Sequence, residues 1–265
     1  VNIYTDILND KIEDTKCIDI LSRELLFIEK YLGKYPHKEI YIDKITKDKN
    51  PIVGLSQLPS FIRPFSEEFK WDITLFKAIS TAYLENRMFL NLREEYWLLD
   101  GIQNYLMIEY IDTYYPEMKL LGKFSEKWYL KNFNISKLKF NEKYPLIYQF
   151  VSRQFLDQAL NTPVDSLSNF NRKIANKYKA GLAIKYLKNY LGDSILNSSI
   201  KELYQEKSAK LISTADFREI ITKKTTKNLD WFFEDFIKTN KKIDSTIDDV
   251  FVEEDSLKVT IRNKR

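Results

Sequence analysis

DITLFKAISTAY (residues 72–83) and YWLLDGIQNYLMIEYI (residues 96–111) decide how this chain folds. In the first stretch Leu75, Phe76, Ile79, Ala82 and Tyr83 recur at the spacing that lines one side of a helix with apolar side chains. Asp72 stands ahead of that stripe as the expected N-cap, because its carboxylate can accept from the open N–H groups of a first turn. In the second stretch Trp97, Leu98, Ile102, Tyr105, Leu106 and Ile108 mark another helix.

Outward from this pair, Ile18 to Leu32 has helical spacing and Gly33 is a fitting C-cap. His37 to Asp43 is a short β-branched and aromatic run that reads as a strand, and Ile52 to Gln57 reads as a second. Further helices are expected near 124–130, 148–160, 171–191, 193–206, 214–222 and 229–238. Thr246–Val252 and Leu257–Arg262, joined by Glu253-Glu254-Asp255-Ser256, read as a hairpin. A lone hairpin is marginal, so 246–265 is expected to open a following β-domain. Residues 1–245 form the main domain, with an α/β portion over 1–65 and a helical lobe over 66–245. The first residue is Val, which suggests a start inside a longer protein.

Composition excludes several classes. A hydrophobic content of 44% with 30% charged residues over 265 positions describes a globular chain. The net charge of +4 comes from 42 basic and 38 acidic residues without a basic stripe, so no nucleic-acid partner is expected. No apolar run is long enough for a membrane-spanning helix. One cysteine, Cys17, excludes an intrachain disulfide and a cysteine zinc site; one histidine, His37, excludes a His–His–Glu site.

Tyr96-Trp97-Leu98-Leu99-Asp100-Gly101 resembles the Trp-Leu-Asn-Glu-Gly segment of the zinc aminopeptidase N family, gluzincins with a thermolysin-like fold. In that family the Glu is the third zinc ligand, and eighteen residues separate it from the second His of an upstream His-Glu-x-x-His helix. Counting back from Asp100 puts Thr81 and Lys77 at the two His positions and Ala78 at that of the catalytic Glu. Tyr178-Lys179-Ala180-Gly181 resembles the Tyr-Glu-Lys-Gly segment whose Tyr stabilises the oxyanion. Tyr190-Leu191-Gly192-Asp193, Asp216-Phe217 and Asp230-Trp231-Phe232-Phe233 resemble later landmarks in the same order. Gly54 to Leu58 falls where the family has its substrate-binding strand; Gly54 is kept, and Gln57 stands where a carboxylate would meet a peptide amine.

The resemblance implies a fold between α/β and mainly α: a thermolysin-like peptidase domain with a small N-terminal mixed sheet and a larger helical lobe. It also implies that zinc is absent. Lys77 brings an ammonium where an imidazole is needed, Thr81 is a weak ligand, and Ala78 has no proton acceptor. In the family geometry Lys77 would replace the metal, pairing with Asp100 beside the Tyr178 hydroxyl. The expected role is a catalytically inactive relative, a peptide- or protein-binding or structural module whose partners are a ligand in the remnant cleft and other domains of the same chain. Two alternatives stay open: a metal-independent enzyme using Asp100, Tyr178 and Lys77, or an unrelated helical interaction domain. His37 lacks an evident Ser or Asp partner, and Glu94-Glu95 read as a solvated face.

Overall fold

Tyr96–Tyr114 is the helix around which the others assemble. It is buried on every side from Trp97 to Ile111 apart from Asp100, the pattern of a central rather than a surface helix. The computed structural model describes residues 1–7, 9–44, 52, 54–55, 64–206, 211–242 and 245–263. In chain order these give β1 (Asn2–Thr5), α1 (Asp14–Leu32), β2 (Glu39–Ile42), α2 (Glu67–Glu85), α3 (Tyr96–Tyr114), α4 (Lys143–Arg153), α5 (Asn176–Leu191), α6 (Asp193–Gln205), α7 (Thr214–Thr222), β3 (Ser245–Glu253) and β4 (Ser256–Asn263). Single-turn 3-10 helices lie before α4, a π-helical turn (Asn171–Ala175) leads into α5, and Trp231–Ile237 forms a π-helix.

The fold is mixed α/β and mainly helical, as the sequence reading expects at that level. Among the described residues the small N-terminal sheet consists of β1 and β2, paired in parallel with Ile3 opposite Ile40 and α1 as the crossover between them. Ile40 and Ile42 point inward and β2 packs on α2. Of the expected strand over 52–57, the described residues form a turn instead; Leu55 N–H donates to the Ile52 carbonyl, and Gly54 has φ +87°.

α2 begins five residues before the expected N-cap. Ser66 is the cap, accepting from Phe69 N–H at 3.2 Å. Asp72 is fully buried inside the helix, because its carboxylate gathers donors from elsewhere. Tyr110 O–H donates to it at 2.8 Å, and Tyr115 O–H and the Arg23 guanidinium donate as well. The cluster ties α1, α2 and α3 together. Glu24 lies in it with no exposure; burial, then the Asp72 charge, pushes its carboxyl well above the usual range. Burial and the neighbouring Asp72 carboxylate thus favour the protonated form of Glu24.

The closest approach of α3 to α5 depends on two glycines. A Cβ on Gly181 would sit 2.7 Å from Asn104 Cβ, and one on Gly101 would lie 3.3 Å from the Ala180 carbonyl oxygen. Small residues let the two backbones draw together, and this crossing sets Asp100 against the start of α5. The helix expected over 148–160 instead ends at Arg153; Phe155 takes φ 56°.

β3 and β4 pair antiparallel with a bulge between Ile247 and Asp249. Val250 faces Val259, Val252 faces Leu257, and Ile247 faces Ile261. Directly opposed residues share a face, so six aliphatic side chains cover one side of the hairpin, and all six are exposed.

Candidate functional site

Lys77, Thr81 and Glu85 lie one turn apart along α2 and so share a face. They meet Tyr96, Leu99, Asp100 and Gln103 of α3 and Lys177 of α5 around a pocket of about 30 Å³. That volume accommodates a water-sized group. The register counted from Asp100 thus brings Lys77, Thr81 and Asp100 to one place.

The partner closest to Asp100 is Lys177, whose Nζ lies 3.3 Å from Asp100 Oδ1. Lys177 also donates to the Tyr96 hydroxyl at 3.0 Å and sits over that ring. The two paired side chains keep 13% and 15% exposure, so the pair is screened from water without being sealed. Lys77 acts on it from farther off. Burial, then repulsion from Lys177, lowers the Lys77 ammonium to about 8, partly offset by attraction to Asp100. Burial raises Asp100, and Lys177 and Lys77 restrain the rise. Burial pulls Lys177 down, but Asp100 and Tyr96 outweigh it and hold it above the ordinary lysine range. Lys143 of α4, enclosed with its ammonium 3.9 Å from the Phe140 ring centre, is driven well down by burial and by Lys77.

Tyr178 is not in this pocket. It packs with Ile108, Tyr144 and Leu182 in a separate apolar cluster, its ring 4.5 Å from that of Tyr144, and burial raises its hydroxyl. Successive helix residues point about 100° apart, and on α5 it is Lys177 that faces Asp100. The phenol at the site is Tyr96. Ala78 is buried in the main core. Gly54 sits in an exposed turn, and Gln57 lies outside the described residues. Lys177, Tyr96, Glu85 and Gln103 were not singled out by sequence; Glu85, at i+4 from Thr81, carried a usable signal in its spacing.

No protein-family profile matches the chain, and no curated protein matches it. Solved structures similar to it in fold include an M1 zinc metallopeptidase from Deinococcus radiodurans, a Glu-to-Ala mutant, with a TM-score of 0.55 at 11% identity over 87% of this chain and 46% of that one. A two-domain M1 zinc metallopeptidase mutant bound to L-tryptophan gives 0.53 at 12% identity, over 84% and 44%. The Deinococcus radiodurans mutant bound to a Tyr-Ser-Ala substrate gives 0.53 at 11%, over 84% and 44%. The chain spans less than half the length of these proteins, and the likeness is one of fold.

Zinc takes neutral imidazole, thiolate or carboxylate ligands. Around the pocket the counterparts are one carboxylate already paired with an ammonium, one hydroxyl and a second ammonium. Among the described residues no three His, Cys, Asp or Glu converge as a metal site would need. These side chains do not fit zinc.

Proposed function

We propose that this chain is a relative of the zinc aminopeptidases whose metal has been exchanged for lysine charge, and that it serves as a protein-binding or structural module of a larger multidomain protein. The observation that carries this reading is the Asp100–Lys177 ion pair at 3.3 Å, with Lys77 in the same pocket. Positive charge reaches Asp100 from within the chain, so no dissolved cation is needed to balance it. Ala78 supplies no general base. A pocket of about 30 Å³ is too small for a peptide side chain and backbone, which favours a role for the outer surface. The exposed aliphatic face of the hairpin supports that role, since such a face is stable when another surface covers it.

Hydrolysis of aminoacyl p-nitroanilides by the full chain, with added zinc, tests the reading. Release no faster than the blank is expected. Turnover that zinc increases and a chelator removes would overturn it.

A further inference from the structure

Between α3 and α4 the chain makes an excursion whose two ends are tied together. Lys119 and Lys139 bridge antiparallel, with Leu120 N–H donating to the Leu138 carbonyl and Phe140 N–H to that of Met118, both at 2.8 Å. Inside this neck the backbone runs through turns and short 3-10 helices. Ser136 Oγ donates to the Phe133 carbonyl at 2.7 Å, with the Lys131 carbonyl 3.1 Å away, and folds the tip back on itself. Burial over 120–138 reverses the ordinary rule. The buried residues are Ser125 and Ser136, whereas Trp128 is 83% exposed, Phe133 61%, Tyr129 51% and Ile135 46%.

Charge is concentrated on the same excursion. Lys119 to Lys139 holds six lysines and one glutamate, a net +5 in a chain whose total is +4. The positive charge of the chain is thus local, and the rest is close to neutral. Lys139 pairs with Glu117, and Lys119 reaches the Lys137 carbonyl. The ammonium groups of Lys123, Lys127, Lys131 and Lys137 have no partner among the described residues, and all four lysines are exposed.

We propose that this excursion docks the protein on an anionic lipid surface. Such a surface places phosphate and carboxylate headgroups over acyl chains. Trp128 and Tyr129 suit the headgroup level, while Phe133 and Ile135 suit the apolar layer beneath. The flanking lysines lay their stems along apolar surface and set their ammonium groups among the headgroups. A single-stranded nucleic acid, the other polyanion of this charge, would stack bases on the rings but leave Ile135 without a partner. The excursion shares no residue with the Asp100 pocket, so the inference goes beyond the role proposed above without depending on it.

Trp128 supplies the readout, because Trp71 and Trp97 are buried and Trp231 is half-buried. The full chain is titrated at about 0.1 M salt with phosphatidylcholine vesicles, with or without about 30% phosphatidylserine. Binding is followed by sedimentation and by tryptophan emission. The anionic vesicles are expected to bind the chain and shift its emission to the blue, and the neutral ones to bind far less. Lys127→Gln with Lys131→Gln should weaken binding roughly 25-fold, since one lysine at an anionic surface is worth about fivefold. Trp128→Ala should weaken it about tenfold and abolish the shift. Both variants should keep the circular dichroism of the unaltered chain, because the side chains removed are exposed. No binding to the anionic vesicles, equal binding to both kinds, or binding that these variants leave unchanged would overturn the inference. An emission change with a single-stranded oligonucleotide and none with vesicles would overturn it too, and would assign the surface to nucleic acid. None of these outcomes bears on zinc or peptidase activity, so the two readings fail separately.

Discussion

Lys177→Met removes one partner of a shielded ion pair and leaves Asp100 charged against the start of α5. Breaking a fully buried pair from one side costs about 3–5 kcal/mol. Here both side chains retain some exposure and Lys77 still attracts Asp100, so a loss of about 2–3 kcal/mol is expected. For a chain of this length that lowers Tm by roughly 4–12 °C. Asp100→Leu should cost a similar amount by stranding Lys177. The double variant should recover most of the loss, since an apolar pair of similar volume replaces an ionic one at little net cost. Urea denaturation followed by tryptophan fluorescence on the four proteins gives the coupling energy, expected near 2 kcal/mol in favour of the pair. A coupling within about 0.5 kcal/mol of zero would refute the assignment of Lys177 as the partner of Asp100. The same cycle with Lys77→Met should give a smaller coupling, because Asp100 acts on Lys77 more weakly than burial and Lys177 do.

Other outcomes follow from the same structure. Glu24 has its folded-state pKa raised, so its contribution to stability is full below the unfolded value of 4.5 and is lost as pH rises through the folded value; Glu24→Gln should flatten that decline in stability measured across acidic and neutral pH. Gly181→Ala places a methyl 2.7 Å from Asn104 Cβ and should destabilise by about 1–3 kcal/mol in a denaturant titration. Val250→Lys, on the exposed hairpin face, should change the stability of this chain by less than about 0.5 kcal/mol, and a larger loss would mean that something in the chain covers that face. Writing Lys77→His, Thr81→His and Asp100→Glu together with Lys177→Met should create a zinc site detectable by calorimetry, because two His at i and i+4 share a helix face.

The helix pair was legible because its apolar spacing reports burial directly, and Gly33 ended α1 as a C-cap should. Asp72 misled because its residue type favours caps, while the groups that bury it lie far along the chain: Arg23, Tyr110 and Tyr115 are 49, 38 and 43 residues away. β1 escaped notice because a four-residue strand has almost no periodicity of its own and is fixed by pairing with β2 across a helix. At the site, Lys77, Thr81 and Asp100 converge because helix spacing is arithmetic. Which residue at the start of α5 meets them depends on the rotation of that helix, set by the Gly101–Gly181 crossing and the π-helical turn over Asn171–Ala175. A rotation of one residue separates Lys177 from Tyr178, and no local pattern records it.

On our proposal, lysine charge stands where a zinc peptidase of similar fold would hold its metal. Elemental analysis of the purified chain, after incubation with zinc and removal of the excess, tests this most directly. Far less than one zinc per chain is expected, unchanged in Asp100→Asn. One tightly held zinc per chain, lost in Asp100→Asn, would contradict it.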